Sequence, residues 1–201
     1  GGEVLLHPEI EQILSHCSGA GVQVNLTTNG TLLDRETARS LVTSGVHSVS
    51  VSLDGPTPEV HDRLRGHKGA FKATVRGIEY LAAARKKTRP RIRINTVVTS
   101  NNVDGLPALH ALLGTLALDA AWKLIPVDSP KKSMRLDDAR AARLFADCAS
   151  WDGPRPEISA GEGDSCDLYE RGRYACGYYR DHLCYMPWLH VFVDPAGFVY
   201  P

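Results

Sequence analysis

The stretch HSVSVSLDG, residues His47–Gly55, alternates between two kinds of side chain. Serines and an aspartate fall on one face of the predicted strand, and aliphatic residues fall on the other. A parallel strand covered by helices on both faces reads instead as a continuous apolar run. The stretch VQVNLTTNG (Val22–Gly30) and the stretch RIRINTVV (Arg91–Val98) alternate in the same way. These strands therefore have one covered face and one polar face.

Strands of this kind alternate with helical patterns along the chain, which predicts βα units in a parallel sheet. The predicted strands are Val22–Thr28, His47–Leu53, Arg91–Val98 and Ala121–Val127, and the predicted helices are Asp34–Ser44, Gly69–Lys87, Val103–Leu118 and Leu136–Ser150. Several strands sharing one polar face favour a sheet curled around a hydrated or ligand-filled interior, with helices on the apolar outside. A twisted open sheet with polar strand ends is the alternative.

Composition sets the class of protein. The 201 residues suffice for one sizeable domain and a small appendage. Positive and negative side chains balance at 23 each, which argues against nucleic acid or an acidic membrane as partner. No apolar run has the length of a membrane span and no signal peptide is visible, so we expect a cytoplasmic protein.

The five cysteines divide into two groups. Cys17 and Cys148 lie in amphipathic helical patterns and are expected to be small buried hydrophobes. The other three fall in the last 36 residues, without a C-x-x-C pair that would indicate a zinc ribbon. Composition changes to Gly, Pro and charge after Trp151, and VFVDPAGFVYP predicts a terminal hairpin. We therefore predict a core over residues 1–152 and a second module over residues 153–201.

Polar residues follow several predicted strands, where ligands bind in βα architectures. They are Gly1-Gly2-Glu3, Thr28-Asn29-Gly30, Ser52, Asp54 and Asn95. Glu3 could accept hydrogen bonds from an ammonium group, Asp54 from sugar hydroxyls, and Ser52 could donate to a carboxylate. The recurrence of such groups after successive strands predicts one ligand site at this edge of the sheet.

The order of these motifs resembles the radical S-adenosylmethionine enzymes. The resemblance rests on GGE, LTTNGTLLD (Leu26–Asp34), VSVSLDGPTPEVHDRLRG (Val49–Gly66), RIRINTVVTSNN and WKLIPVD. It implies an α/β fold, a partial (β/α)6 TIM-like barrel open on one side, that binds S-adenosylmethionine. Val4 stands where the family's GGEP motif has proline.

The resemblance also implies roles for the site residues. Gly1, Gly2 and Glu3 would meet the methionine amino group, with Thr28 and Asn29 beside them. Ser52 and Asp54 would contact the methionine carboxylate and the ribose, and Arg65 is a further carboxylate partner. Asn95 would reach the ribose, and Leu124 would lie near the adenine through its backbone.

The tail resembles family members with a SPASM or twitch extension, whose C-x(9–15)-G-x4-C pattern helps bind an auxiliary iron–sulfur cluster. Twelve residues separate Cys184 from Gly197, so the residue after Pro201 is predicted to be cysteine. Cys184 would be a cluster ligand, and Cys166 and Cys176 are further candidates. The C-x3-C-x2-C loop of the catalytic [4Fe-4S] cluster is expected before Gly1. We therefore interpret the chain as an internal fragment that is inactive by itself.

In the intact protein, the resemblance implies that a 5′-deoxyadenosyl radical abstracts hydrogen from a peptide or small-molecule substrate. A reductant such as flavodoxin or ferredoxin would supply electrons. Relatives with such extensions mature peptides or proteins, or modify sugars of natural products. Arg93, Lys123 and Asp128 are hypothetical substrate contacts inside the barrel.

Two other functions stay open. One is a degenerate, non-catalytic barrel that keeps S-adenosylmethionine binding and has lost the cluster. The other is an ordinary barrel lyase or hydrolase that uses Lys123 as a Schiff-base amine or an Asp/His pair. The eight histidines show no metal-binding spacing, which gives no support to a histidine metal site.

Overall fold

A computed structural model describes residues 2–116, 121–127, 131–151, 156–158, 192–193 and 199–200. The predicted parallel sheet is confirmed, and each strand pairs with the next in chain order. Its five strands are β1 (Asn25–Thr28), β2 (Ser48–Ser52), β3 (Arg91–Val98), β4 (Ala121–Pro126) and β5 (Glu157–Ile158). All four pairings are parallel, as expected for successive βα units of a partial barrel.

Six described α-helices accompany the sheet. They are α1 (Ile10–Gly19), α2 (Arg35–Thr43), α3 (Pro58–Arg65), α4 (Ala70–Ala84), α5 (Leu106–Thr115) and α6 (Asp138–Ser150), and 3₁₀ turns cover Val4–Leu6, Val103–Gly105 and Lys132–Met134. The Asp34 and Asp137 side chains accept the backbone N–H groups of the third residue beyond them, as expected of N-caps. No described helix combines the length and apolar character that crossing a membrane requires.

The sequence analysis did not predict the bounds of two helices, α1 and α3. Helix α3 has eight residues and a strongly polar sequence, PEVHDRLR, so its apolar periodicity is weak. Pro58 in its first turn and the left-handed Gly66 at its end are the local signals that mark it. Helix α1 was anticipated only as the amphipathic pattern around Cys17, and its single fully buried residue, Leu14, explains the weak signal.

The core lies between the aliphatic face of the sheet and the helices. Burial alternates along β1 and along most of β3, where every second residue is buried. The fully buried side chains include Val49, Val51, Ile92, Ile94 and Leu124 from the strands, with Leu41, Ile78, Leu81 and Leu109 from the helices. The opposite face carries the polar residues and is not covered to the same extent. The predicted inner polar face is therefore confirmed.

Trp122 connects the covered face to the helices. Its indole Nε1 donates to Thr96 Oγ1 at 2.9 Å, and the Thr96 hydroxyl donates to the Leu53 carbonyl at 2.6 Å. The Trp122 ring stacks on Trp151 with centroids 5.5 Å apart, and Trp151 stacks on His110 at 5.0 Å. This aromatic stack fixes the end of α6 against β4 and α5.

The predicted terminal hairpin is confirmed by two short antiparallel strands, β6 (Phe192–Val193) and β7 (Val199–Tyr200). Strand β5 lies past residue 152, so the sheet continues into the range predicted for the second module, and the boundary itself stays a prediction. Six residues of the sequence predictions lie outside the described residues: Gly1, Asp128, Cys166, Cys176, Cys184 and Gly197.

Candidate functional site

Glu3 is held at the carboxyl end of β1 by three hydrogen bonds. Its Oε1 accepts from the Thr28 hydroxyl at 2.6 Å and from the Leu5 N–H at 3.2 Å. Its Oε2 accepts from the Asn29 N–H at 2.7 Å. Two carboxylate oxygens offer about four acceptor positions, so capacity for a further donor is left. The structure thus brings together three residues predicted from the sequence, Glu3, Thr28 and Asn29.

The loop after β1 is shaped by its own side chains and by helix α4. Asn29 Oδ1 accepts from both the N–H and the hydroxyl of Thr31, which forms an Asx-type turn. The Asn29 carbonyl accepts from the Thr74 hydroxyl of α4 at 2.9 Å. Gly30 has a positive φ of 80°, which glycine adopts without strain. The loop is therefore fixed in place by contacts on both sides.

Asp54 lies just after β2 and is only 5% exposed. Its Oδ2 pairs with Arg65 Nη2 at 2.7 Å, and its Oδ1 accepts from the Val97 N–H at 2.9 Å. Burial raises the pKa of Asp54, while the Arg65 charge and the hydrogen bond from Val97 oppose that increase. Both carboxylate oxygens therefore have protein partners, and the contact of Asp54 with a ribose stays a prediction.

Two further side chains fix Asp54 through its backbone. The Asp54 N–H donates to His61 Nδ1 at 3.0 Å, and the Asp54 carbonyl accepts from Asn102 Nδ2 at 2.8 Å. His61 is 1% exposed; burial, and secondarily the Arg65 charge, lower its pKa to about 4. The imidazole is thus neutral at pH 7, as its acceptor role requires.

Arg65 offers a donor that the described protein does not use. Its Nε is buried and has no hydrogen-bond partner within the described part of the chain. A buried polar group without a partner costs about 1–3 kcal/mol. A ligand oxygen that accepts a hydrogen bond from Nε would remove that cost. Arg65 itself lines a concavity, together with Asn29, Thr31, His61, His67 and Ala70. The predicted methionine carboxylate has the acceptor oxygens that this position lacks, so these residues fit S-adenosylmethionine.

Ser52 and Asn95 stand side by side on the inner face. The strand register aligns Ser52 with Asn95, Asn95 with Lys123, and Lys123 with Glu157. Adjacent parallel strands are about 4.8 Å apart, so the four residues form one polar row across the sheet. The Leu124 side chain is fully buried on the opposite face, and its predicted backbone contact with adenine stays a prediction. Gly2 is exposed immediately before Glu3.

Three residues of this region were missed by sequence reasoning: His61, Asn102 and Glu157. His61 and Asn102 lie within the stretches that carry the family resemblance, and the signal for Asn102 is a polar residue just beyond a strand. Glu157 gave no signal, because its strand has two residues and follows a loop-like sequence.

The two described cysteines behave as structural thiols. Cys148 is 6% exposed, and burial raises its pKa to about 11, whereas Cys17 is half-buried. Among the residues that the structure describes, no cluster of His, Cys, Asp and Glu could hold a metal ion. Cys166, Cys176 and Cys184, the predicted ligands of the auxiliary cluster, lie outside the described residues.

Comparison with known proteins identifies the family of this chain. The profile of the Radical SAM superfamily matches residues 1–107, which is more than half of the chain. The chain belongs to the radical SAM superfamily. The matched region contains Glu3, Thr28, Asn29, Ser52, Asp54, Arg65 and Asn95.

Relatives of this radical SAM chain include two differently named enzymes. An AdoMet-dependent heme synthase of Methanosarcina barkeri is 37% identical over 148 residues, covering 72% of this chain and 41% of the relative. The mycofactocin maturase MftC of Mycobacterium ulcerans is 38% identical over 112 residues, covering 56% of this chain and 29% of the relative. The chain thus spans less than half the length of these relatives.

Solved structures share the fold. Streptococcus suis SuiB bound to S-adenosylmethionine aligns with a TM-score of 0.61 and 21% identity, covering 74% of this chain and 33% of SuiB. The protein anSMEcpe with bound AdoMet and the Cp18Cys peptide aligns with a TM-score of 0.62 and 21% identity, covering 79% of this chain and 48% of the neighbour. These similarities support the predicted partial barrel.

Proposed function

We propose that this chain is the S-adenosylmethionine-binding core of an iron–sulfur radical enzyme that removes a hydrogen atom from its substrate. The observation that carries the proposal is the set of matched polar groups at one sheet edge. Glu3 retains acceptor capacity beside Asn29, and Arg65 has a buried donor without a described partner. These groups complement an ammonium and a carboxylate, which are the two charged groups of the methionine part.

Each site residue has a role in binding or orienting the cofactor. Glu3 accepts from the cofactor's ammonium group, and Arg65, fixed by Asp54, donates to its carboxylate. Ser52 and Asn95 face the ribose from neighbouring strands. When bound beside a reduced [4Fe-4S] cluster, S-adenosylmethionine supplies the 5′-deoxyadenosyl radical. Residues of the inner face then determine which substrate hydrogen lies next to the ribose.

The proposal includes the groups beyond the described residues. The catalytic cluster takes its cysteines from a segment before Gly1, and Cys184 contributes to an auxiliary cluster, with Cys166 and Cys176 as further ligands. Flavodoxin or ferredoxin supplies electrons. The maturase relatives support a maturation reaction, for which we propose a peptide substrate. The heme synthase relatives, which match more of this chain, support a tetrapyrrole as the second candidate.

The test uses the protein with its natural flanking sequences, reconstituted anaerobically with iron and sulfide and reduced with dithionite. Cofactor binding is measured by calorimetry, and 5′-deoxyadenosine release by chromatography. Glu3→Gln removes the charge that meets the ammonium group. Losing a charge-assisted hydrogen bond costs about 1.5–3 kcal/mol, so we expect roughly 10- to 100-fold weaker binding.

Glu9→Gln is the matched control, because Glu9 is exposed and its side chain makes no cap hydrogen bond. It should bind and release like the wild type. Cofactor binding without 5′-deoxyadenosine release, in a protein that takes up no iron on reconstitution, would indicate the degenerate binding barrel. An iron-free protein that is fully active, with Lys123 trapped by borohydride, would indicate the ordinary barrel enzyme. Equal cofactor affinity in Glu3→Gln and wild type would refute the assignment of Glu3.

A further inference from the structure

The inner face of the sheet carries three cations that the cofactor site does not use, Arg91, Arg93 and Lys123, and the last two lie next to Asn95. Arg93 lies on β3 between Ser50 and Ala121, and Lys123 lies on β4 between Asn95 and Glu157. Arg93 is exposed and Lys123 half-buried. Within the described residues, neither side chain makes a hydrogen bond or an ion pair. Both charges are therefore available to a ligand on this face.

The acidic groups near these cations leave them with a surplus of positive charge. Asp54 is paired with Arg65, and Glu3 is held by Thr28 and Asn29. Glu157 is aligned with Lys123 on the neighbouring strand but makes no ion pair with it in the described structure.

Both cations flank Asn95, which is the proposed ribose contact. Lys123 is its in-register neighbour at about 4.8 Å between strands, and Arg93 precedes it by two residues, about 6.6 Å along the strand. The Cα atoms of Arg93 and Lys123 are thus about 8 Å apart on the diagonal, within reach of long side chains meeting at one group. A substrate whose hydrogen is removed beside the ribose must occupy the same face.

We propose that Arg93 and Lys123 form a carboxylate-binding subsite, so that the substrate is an organic acid. This inference rests on the proposed function, because it places the acid beside the cofactor. Arginine and lysine both donate charge-assisted hydrogen bonds to carboxylates. The carboxylate belongs either to a tetrapyrrole side chain or to the end of a peptide.

The experiment uses the reconstituted protein with its natural flanking sequences, loaded with S-adenosylmethionine. The first probe is coproporphyrin III, a macrocycle with several carboxylates, compared with its neutral methyl ester. The second probe is a short peptide with a free terminal carboxylate, compared with the same peptide as a terminal amide. Binding is measured by calorimetry at two salt concentrations.

We expect at least one acid to bind about tenfold or more tightly than its neutral counterpart, with affinity that falls as salt rises. Arg93→Gln and Lys123→Gln should each remove about tenfold of that affinity. Lys72→Gln and Arg76→Gln, two exposed cations on α4, should leave it unchanged. Preference for the porphyrin identifies a small-molecule acid, and preference for the peptide identifies a terminal carboxylate.

Measuring the affinity for S-adenosylmethionine distinguishes a failure of this inference from a failure of the proposed function. That affinity should stay at the wild-type value in Arg93→Gln and Lys123→Gln, which also shows that both variants fold. The subsite is refuted if no acid outbinds its neutral counterpart, or if both variants bind the acids as the wild type does. It stands, and the proposed function fails, if acid binding depends on both cations while no 5′-deoxyadenosine forms.

Discussion

At Gly77, helix α4 lies in close contact with the loop that follows β1. A Cβ at Gly77 would lie 2.6 Å from the Gly30 carbonyl oxygen and 2.7 Å from Leu33 Cβ. Real Cβ atoms essentially never come so close to another heavy atom, and the first of these contacts is with backbone. Gly77→Ala must therefore push α4 away from the loop that holds Glu3.

The size of the effect follows from two opposed contributions. Alanine raises helix propensity over glycine by about 1 kcal/mol. Overpacking a tight contact costs about 1–3 kcal/mol. Gly114 in helix α5 supplies the control, because a Cβ there would meet nothing within 4 Å. Comparing Gly77→Ala with Gly114→Ala removes the propensity contribution and leaves the clash, so their unfolding free energies should differ by about 1–3 kcal/mol.

The assay is unfolding by urea and by heat, together with calorimetry of S-adenosylmethionine binding. Gly114→Ala should be more stable than wild type by about 0.5–1 kcal/mol and bind the cofactor normally. Gly77→Ala should melt about 2–12 °C below Gly114→Ala and bind the cofactor more weakly. Equal melting temperatures of the two variants would show that α4 does not press on Gly30, and the account of the loop would be wrong.

Two further predictions concern buried polar groups. Thr96→Val keeps the shape of the side chain but leaves the Trp122 indole N–H and the Leu53 carbonyl without partners, which should cost about 1–3 kcal/mol in urea unfolding. His61 takes up a proton near pH 4 in the folded state and near 6.5 when unfolded, so stability should fall by roughly 2 kcal/mol from pH 7 to 5. His61→Asn, which keeps an acceptor but does not titrate, should lose that part of the decrease.

Matched comparisons make both predictions decisive. Thr43 has a comparable hydroxyl bond to the Arg39 carbonyl, but it is exposed, so Thr43→Val should change stability by less than about 0.5 kcal/mol. Similar costs at Thr43 and Thr96 would contradict the importance of burial. For His61, the quantity to compare is the difference in pH dependence between the wild type and His61→Asn. Identical pH dependence in wild type and His61→Asn would mean that His61 is not held neutral.

Much of the fold could be predicted because the strands display their faces in the sequence. Strands β2 and β3 alternate between aliphatic and polar residues, and the structure buries the aliphatic set. The same criterion failed for helix α3, where only His61 is buried and no apolar stripe exists. Strand β5 was missed since two residues cannot show a period. Strand β5 forms by pairing with β4 at the edge of the sheet, and such a tertiary contact cannot be read from the local sequence.

The candidate site was predictable as a location more than as a set of contacts. Parallel strands bring their carboxyl ends to one edge, so Ser52 and Asn95 had to be neighbours once the strand order was known. The bond from Thr28 to Glu3 is between residues 25 apart, and the pairing of Asp54 with Arg65 requires the unpredicted α3. Such contacts determine which carboxylate is paired within the protein and which one can bind a ligand.

The Asp54–Arg65 pair shows how the fold separates cations that position a ligand from cations that are free to bind one. Burying a carboxylate is unfavourable, and here Arg65 and the Val97 N–H oppose that cost. The guanidinium is thereby fixed in one orientation, with its buried Nε unpaired among the described residues, and in the proposed function it is a donor already in place for the cofactor carboxylate. Arg93 and Lys123 have no such support and keep the side-chain freedom that a fixed donor has lost. In the proposed subsite, a substrate acid orders both side chains as it binds. Because Arg93 is exposed and Lys123 half-buried, we expect its affinity to fall more steeply with salt than that of the cofactor.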